Sequence, residues 1–460
     1  MVMNVYTALF LAILGSGFLL PPASLSQGLS PGERFQSERT WKTINELSVD
    51  EKARIDLSEN TSRHPEFAYL PAEPYPFQPP FTAEEMGYRM MEFTQRPRWS
   101  CAFANLFGSI TAEGFLLGKG MNISYSAYPE PGGVEVELAT KPGAEIYRYL
   151  TQGVFPPESQ GSQNLLIRYR TDHTFTKKED LFSYSLATRR VRHQNQMRRG
   201  DKFPYMAQSF DDASGRDAWE FHWRILGTDV LYQTVRFPVT RPVVTVAEGD
   251  SLHDVPTIDL KLMGDDYPHY TTERGVRCYV VEARPREEWL PDYYASRIIY
   301  WLDQYAFYPL RTEVYDRAGR LSQIEVRLTK LMNPALKERG YGPFLILGWD
   351  VSLDLMTYII RDGHRTMEWS SIDRETFFNP DFMRRQWFLT PVKSQFGVNT
   401  PEEFFLRPML DADKFPSERR IQVDAALAAR INAQDAAGRL VFDAVPGADQ
   451  QQARLHNKYK

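Results

Sequence analysis

Two adjacent carboxylates, Asp211 and Asp212, are the residues of this sequence best suited to acid–base chemistry. General acid–base catalysis needs carboxyl groups that face the same reacting bond. Neighbouring residues of a strand point to opposite sides of a sheet, so this pair would share a site only within a turn. The run Ser209-Phe210-Asp211-Asp212 therefore favours a turn or a cap, and a catalytic pair is the alternative.

The other residue types that could do chemistry are scattered. His253 and His269 lie in an acidic loop, where such side chains are usually solvated, so no metal site is predicted. The chain also lacks the sequence motifs of nucleophilic hydrolases, zinc proteases, P-loops and dinucleotide-binding folds. We therefore expect a protein that is not an enzyme and has no cofactor. A hydrolase acting on a lipid or glycan is a remote alternative.

The two cysteines, Cys101 and Cys278, exclude a disulfide framework and a Cys-rich metal site. They could form a single disulfide in an oxidising compartment, or both thiols could remain free. Sequence separation does not decide between these alternatives, because a disulfide depends on separation in space.

Composition limits the class of protein. The 460 residues are 42% hydrophobic and 13% aromatic, which is enough for a substantial core. The formal net charge is -5 and the pI is about 6.0, whereas a general nucleic-acid binder normally carries a basic field. No nucleic-acid partner is therefore expected.

The elements that must position these residues are mostly strands. The run Trp219, Phe221, Trp223 and Ile225 alternates with period two, which is typical of a half-buried strand. Similar strand-like segments follow in series, with no helices of 10–15 residues between them, and this predicts a large antiparallel sheet. Thr82 and Glu85 form a capping-box pattern that predicts the start of a helix. The aromatic row is either ordinary core or the wall of an apolar binding site.

The chain begins with the uncharged apolar run 5–20, followed by Pro21, Pro22 and small residues. This pattern predicts a signal peptide that is cleaved near Ser26 and Gln27, so the mature protein would be exported to the periplasm. An uncleaved anchor or a buried N-terminal helix is the alternative. We divide the chain into residues 1–26 (signal peptide), 27–80 (extended polar and proline-rich arm), 81–410 (β domain) and 411–460 (C-terminal helix and polar tail).

A basic cluster lies in the centre of the sequence. It contains Arg189, Arg190, Arg192, Arg198, Arg199, Lys177 and Lys178. Arg189, Arg190 and Arg192 are candidates for contact with an anionic lipid headgroup or an acidic partner. The alternative is an ordinary charged surface that is balanced by nearby acidic residues.

Two segments resemble the LolA-like proteins. Residues 180–212 have the aromatic strand, the basic return strand and the Ser-Phe-Asp-Asp corner of that family. Residues 278–331 resemble its second half, through the runs 300–303 (Tyr-Trp-Leu-Asp), 308–311 (Tyr-Pro-Leu-Arg) and 319–321 (Gly-Arg-Leu). With its size, its export signal and the run 385–388, the chain is similar to a long exported family of unknown function associated with outer-membrane lipoprotein sorting.

The resemblance implies a mainly β fold of the LolA/LolB type. It would be a large, open and incomplete antiparallel β-barrel with covering helices, a C-terminal helix and an apolar interior. The wall of that interior would include Trp219, Phe221, Trp223, Ile225, Tyr300 and Trp301.

The implied function is that of a non-enzymatic periplasmic carrier or chaperone for a lipid or another hydrophobic molecule. Long relatives imply an RND- or MMPL-type exporter of the inner membrane and an outer-membrane protein as partners. A structural adaptor between those two proteins, without cargo of its own, is the alternative.

Overall fold

The computed structural model describes residues 41–384 and 424–436. Within the first range it leaves out 59–60, 73–76, 95, 97, 111–115, 131–132, 135–140, 196, 204–205, 233–242, 249–250, 257–258 and 354. The predicted signal peptide, the run 385–388 and the polar end of the tail lie outside the described residues.

Antiparallel strands dominate the described structure. They are β1 (Lys42–Thr43), β2 (Cys101–Ile110), β3 (Leu116–Ala127), β4 (Glu145–Phe155), β5 (Gln163–Tyr169), β6 (Glu179–Ser185), β7 (Arg190–Gln194), β8 (Phe221–Leu231), β9 (Val243–Glu248), β10 (Ser251–Pro256), β11 (Val276–Pro285), β12 (Ala295–Asp303), β13 (Pro309–Asp316), β14 (Leu321–Leu331), β15 (Tyr341–Asp350) and β16 (Leu355–Thr366). Strands β9 and β10 pair with each other. The other fourteen form one sheet in the order β1-β8-β11-β12-β13-β14-β15-β16-β2-β3-β4-β5-β6-β7.

Short helices accompany this sheet. They are α1 (Val49–Lys52), α2 (Ala83–Tyr88), α3 (Phe210–Ser214), α4 (Ser371–Phe377), α5 (Pro380–Met383) and α6 (Ala425–Ala436). A π-helix, Arg89–Thr94, continues α2. The Thr82 side chain accepts a hydrogen bond from the Glu85 amide, and the Glu85 side chain accepts one from the Thr82 amide, so the predicted capping box is confirmed. The predicted C-terminal helix is also confirmed, as α6.

Each face of the sheet carries its own apolar cluster, because successive side chains of a strand point to opposite faces. We call the face that packs against α2 the α2 face; its cluster includes Ile225, Val281 and Val314. The other face, here the opposite face, carries a larger cluster that includes Val326 and Leu347. Full burial of each such side chain stabilises the fold by about 1.5–3 kcal/mol.

The sheet curves until its two ends approach each other. Arg168 lies in β5 and Asp217 lies just before β8, ten strands away in the sheet order. Ten strand spacings of a flat sheet would cover about 48 Å, yet the Arg168 Nη2 and Asp217 Oδ1 atoms are 2.7 Å apart. Helix α3 lies on the α2 face, where Gln323 donates to Asp212 over 3.0 Å. The prediction of a large, open antiparallel sheet that does not close into a barrel is confirmed.

The segment before α2 differs from the extended arm that its prolines predict. Strand β1 pairs with β8, from Lys42 opposite Thr228 to Thr43 opposite Gly227. The following segment buries apolar side chains in the cluster of the α2 face, namely Leu47, Ile55, Tyr69, Leu70 and Phe77. Prolines prevent a long helix here, but they do not prevent an irregular chain from packing on an apolar sheet. The division of the chain into domains stays a prediction.

Candidate functional site on the α2 face

The structure brings together most of the predicted apolar wall. Trp219, Phe221, Ile225 and Tyr300 are buried in the cluster of the α2 face, and Trp223 packs against it while half-buried. Trp301 belongs instead to the cluster of the opposite face. Tyr300 and Trp301 are adjacent in β12 and so point to opposite sides of the sheet. Therefore the six residues do not form one continuous wall.

Helix α2 covers this row closely. Gly87 lies so near Trp223 that a Cβ atom at this position would be 2.3 Å from the indole ring. In the π-helix that continues α2, the Arg89 guanidinium lies over the Phe307 ring, 4.1 Å from its centroid. The row is therefore packed beneath a helix and does not line an open space.

Trp301 has the surroundings of a core residue. Its Nε1 atom donates to Asp229 Oδ2 over 2.9 Å, and its ring meets the Trp41 ring edge-on at 5.7 Å. The Arg311 guanidinium carbon lies 5.5 Å from the centroid of the Trp301 ring. These contacts fix the indole on the opposite face, away from the aromatic row.

The Asp211-Asp212 pair forms the first turn of α3. Ser209 is the N-cap, its side chain accepts from the Asp212 amide, and the Asp212 side chain accepts from the Ser209 amide. The interpretation of this run as a turn or a cap is thus confirmed. Both carboxylates are buried, and each has charged partners of its own.

A buried charge network joins the two ends of the sheet. We define it by the residues Glu92, Arg96, Arg168, Arg170, Lys178, Arg199, Asp211, Asp212, Arg216, Asp217 and Glu220. At its centre, Asp217 Oδ1 accepts from Arg96 Nη2 over 2.6 Å and from Arg168 Nη2 over 2.7 Å. Glu92 binds Arg96 over 2.5 Å and Arg170 over 2.9 Å. The network thereby connects the π-helix and β5 to the start of β8.

Helix α3 forms the other half of the charge network. Asp211 binds Arg199 over 2.8 Å and Lys178 over 3.3 Å, and it accepts from Tyr293 Oη over 2.7 Å. Arg199 also binds Glu220 over 2.7 Å. A separate contact of 2.5 Å joins Asp212 to Arg216, and both of these side chains are buried. Within this half, every cation named therefore has a carboxylate partner.

The electrostatics of the charge network are those of fixed ion pairs. Burial alone would raise the pKa of Asp211, but the cations of Lys178 and Arg199 outweigh burial and lower it to about 2. The pKa of Asp217 lies well below its usual value, because Arg168, Lys178 and Arg96 together outweigh its burial. Carboxylates that stay ionised at neutral pH are poor proton donors. The charge network is therefore suited to holding segments together and not to acid catalysis.

No pattern described above in the sequence predicts the charge network. Its members come from four separate segments, and no spacing within one segment indicates that they meet. A usable signal exists in β5, where Arg168 follows Leu165, Leu166 and Ile167. A cation directly after such an apolar run indicates a buried partner, because an unpaired buried charge is costly.

The structure divides the basic cluster into two groups. Lys178 is buried and Arg199 is half-buried, and both belong to the charge network. Arg189, Arg190 and Arg192 are exposed, at the β6–β7 turn and on the last strand of the sheet. Within the described part of the chain, these three arginines form no ion pair. Their role as a contact for a headgroup or an acidic partner stays a prediction.

The disulfide considered for Cys101 and Cys278 is not formed, and both thiols are free and buried. Cys101 lies in β2 and Cys278 in β11, six positions apart in the sheet order. Burial raises the pKa of Cys101 to about 11.

The described residues contain no group of three or more His, Cys, Asp or Glu side chains that could hold a metal ion. No helix in the same ranges has the length and apolar character needed to cross a membrane.

His364 belongs to an aromatic group at another part of the α2 face. Its ring stacks on Phe103 with a centroid distance of 6.2 Å and meets Trp99 edge-on at 5.4 Å. Burial, followed by the positive charges of Arg361 and Lys330, lowers the pKa of His364 to about 4. The imidazole is thus neutral at neutral pH.

Acidification from pH 7 to pH 4.5 is expected to lower the free energy of unfolding by roughly 2–3 kcal/mol through His364. The reference pKa of the imidazole is 6.5 and the folded value is about 4. The unfolded chain therefore binds the proton first, so stability falls as the pH drops through this window. Urea unfolding at both pH values measures the change, and His364→Phe should flatten it. His193→Phe, at a side chain 58% exposed, is the control and should keep the full dependence.

Solved structures of other proteins are similar to this chain. No functionally curated protein matches the chain. Similar solved structures include a DUF1329 family protein from Desulfovibrio piger, with 14% identity over 62% of this chain and 91% of that one (TM-score 0.41). A domain named for outer membrane lipoprotein sorting from Vibrio parahaemolyticus has 15% identity over 63% and 94% (TM-score 0.41). A LolA superfamily protein from Nitrosomonas europaea has 12% identity over 65% and 100% (TM-score 0.38).

The model of the family described as protein of unknown function DUF1329 matches residues 59–383. This range holds α2, the charge network and every strand of the large sheet except β1. The chain therefore belongs to the DUF1329 family.

Proposed function

We propose that this protein is a non-enzymatic periplasmic carrier or chaperone for a lipid or another hydrophobic molecule. The observation that carries the proposal is the cover of the aromatic row on the α2 face. A short helix packs directly against Trp223, whose ring lies beside Phe221 and Tyr300. In a β-sandwich a second sheet would cover such a row. Displacement of α2 would expose an apolar surface on a curved, open sheet that stays intact.

In the described structure, the polar contacts that join this segment to the sheet hold the π-helix and not α2 itself. Thr94 donates to the Ala306 carbonyl over 3.1 Å, and Glu92 binds Arg170 over 2.9 Å. Helix α2 packs on the sheet through apolar side chains such as Met86, so α2 could move while the π-helix stays attached. An acyl chain can replace that packing at about 0.8 kcal/mol for each buried methylene group. A chain of moderate length would thus compensate for the loss of α2 from the sheet.

Compartment and partners belong to the same proposal. The apolar run 5–20 supports export to the periplasm. The sequence resemblance supports service to an RND- or MMPL-type export system. Arg189, Arg190 and Arg192 offer an exposed basic surface for an anionic headgroup or an acidic partner. The same surface favours the second candidate function, an adaptor between an inner-membrane exporter and an outer-membrane protein.

Mass spectrometry of lipids extracted from gently purified protein is the direct test. Co-purified lipid, together with saturable binding of an acyl-chain probe such as palmitic acid, would support a carrier. Protein that contains no lipid and binds no acyl probe would contradict it. In that case, specific retention of an exporter in pull-down experiments would favour the adaptor.

Gly87→Ala should destabilise the protein by about 1–3 kcal/mol and increase its binding of acyl probes. The new methyl group would lie within van der Waals overlap of the Trp223 ring, so α2 or the indole must move. Urea unfolding and palmitate titration measure the two effects. Gly275→Ala is the matched control, because its Cβ would meet Val230 and Tyr232, away from α2. Weaker palmitate binding by the Gly87 variant would contradict a removable cover.

A further inference from the structure

A second group of cations lies on the α2 face, away from the charge network. We call Arg361, Arg327 and Lys330 the basic patch. Arg327 and Lys330 lie in β14 and Arg361 lies in β16. In β16, Thr357 accepts from the Ala207 amide on the α2 face, and Arg361 is four residues further along the same side. Arg361 and the His364 ring both contact the Phe103 ring, and the positive charges of Arg361 and Lys330 both lower the pKa of His364.

Arg361 lacks an anionic partner within the described residues. Its Nε atom donates to Asn105 Oδ1 over 3.2 Å, and its guanidinium carbon lies 4.9 Å from the centroid of the Phe103 ring. Arg327 is paired with Glu325 over 2.6 Å, and Gln208 donates to the other oxygen of that carboxylate, also over 2.6 Å. Glu325 is therefore already engaged, and the patch carries excess positive charge.

A half-buried guanidinium without an anionic partner is energetically unfavourable. Burial and the like charge of Arg327 lower the pKa of Arg361, although an arginine stays charged at neutral pH. Arg98 is a second cation with incomplete hydrogen bonding. Its side chain is buried, and its Nε and Nη1 atoms have no hydrogen-bond partner among the described residues. Arg98 donates to Tyr308 Oη, and the Tyr308 side chain also has an electrostatic effect on the pKa of Arg361. Excess buried positive charge of this kind is what an anion would stabilise.

The surroundings of Arg361 are amphipathic. Asn105 Nδ2 donates to Asn122 Oδ1 over 2.7 Å and to Ser124 Oγ over 3.0 Å, which forms a polar row across β2 and β3. Aromatic rings lie beside this row, namely Trp99, Phe103, Tyr149 and His364. Polar donors next to aromatic rings suit a molecule with a charged head and an apolar chain.

We propose that the basic patch binds the anionic headgroup of an amphiphilic ligand, and that Arg361 pairs with its phosphate or carboxylate. The proposal rests on the carrier function proposed above and names the ligand class. A guanidinium matches both anions because it offers parallel N–H donors. The aromatic rings beside Arg361 would contact the first part of the chain.

Isothermal titration of the full mature chain with three probes of equal chain length tests this inference. The probes are palmitate, 1-palmitoyl-lysophosphatidylglycerol and the neutral hexadecanol. We expect at least one anionic probe to bind about 10-fold or more tightly than hexadecanol, since charge-assisted hydrogen bonds are about twice as strong as neutral ones. A preference for palmitate would identify a carboxylate ligand, and a preference for the lysolipid would identify a phosphate ligand.

Arg361→Met should abolish this preference without lowering the midpoint of urea unfolding, because it removes an unpaired cation and retains the apolar stem. Arg361→Lys should retain part of the preference. Arg317→Met is the control: this arginine is 59% exposed and paired with Asp292 over 2.6 Å, so its loss should not alter the preference.

Two results would overturn the inference. Equal affinities of the wild-type protein for anionic and neutral probes would contradict it and leave the carrier function standing. An unchanged preference in Arg361→Met, with a lower unfolding midpoint, would assign Arg361 a purely structural role. Absence of binding of all three probes would contradict the carrier function itself.

Discussion

Asp217→Asn is expected to lower the free energy of unfolding by about 3–5 kcal/mol, the usual cost of removing one partner from a buried ion pair. Asp217 accepts from Arg96 and Arg168, and all three side chains are almost fully buried. An amide oxygen could accept one of these hydrogen bonds but would leave Arg168 without a counter-charge, and Arg96 would keep only Glu92. The loss of stability would measure mainly the uncompensated charge of Arg168 and not the net contribution of the ion pair.

Urea unfolding followed by circular dichroism measures this loss. Asp292→Asn is the matched control, because it removes a carboxylate that is 84% exposed and bound to a single arginine. Exposed pairs contribute about 0–1 kcal/mol, so the control should change little. A loss below about 1 kcal/mol in Asp217→Asn would mean that the charge network does not hold the ends of the sheet together.

The charge network also has a consequence for the proposed carrier. Within the described ranges, backbone pairing joins neither β5 nor β7 to β8, so side chains such as Arg168 and Asp217 set the separation of these parts of the sheet. A weaker charge network would leave the backbone pairing of the strands intact. It would first change the distance between β5 and the start of β8. Asp217→Asn should therefore alter acyl-probe binding even under conditions in which the protein remains folded.

Trp301→Ala is expected to lower the free energy of unfolding by about 3–5 kcal/mol, as for other large-to-small substitutions in a core. The indole is almost fully buried on the opposite face and packs against Trp41. Its loss would leave a cavity and would remove the hydrogen bond to Asp229. The aromatic row on the α2 face would keep its contacts, so the affinity for acyl probes should stay within about threefold of the wild type.

Urea unfolding and palmitate titration of the same protein test both parts of this prediction. Trp289→Ala is the control, since Trp289 is 41% exposed and its loss should cost only about 1 kcal/mol. A large loss of palmitate affinity in folded Trp301→Ala protein would restore Trp301 to the binding wall. An unfolding energy close to that of the wild type would contradict its role in the core.

Local patterns in the sequence determined the types of element in this protein. The alternation of Trp219, Phe221, Trp223 and Ile225 predicts a strand, the capping box at Thr82 predicts a helix start, and the run at Ser209 predicts a turn or a cap. Such features depend on residues a few positions apart, because capping and side-chain alternation act within one turn or one strand. The family resemblance predicted that these strands form a large open sheet, and the structure confirms this prediction.

Tertiary structure alone decided which side chains meet. Arg168 and Asp217 lie 49 positions apart in the chain, and only the curvature of the sheet brings them to 2.7 Å. Packing also decided that Arg199 is half-buried and held in ion pairs while Arg192 stays exposed, although both belong to the same basic cluster. The cover of α2 over Trp223 depends on how closely Gly87 approaches the indole ring. These outcomes depend on packing between remote segments, and the spacing of residues along the chain does not record that packing.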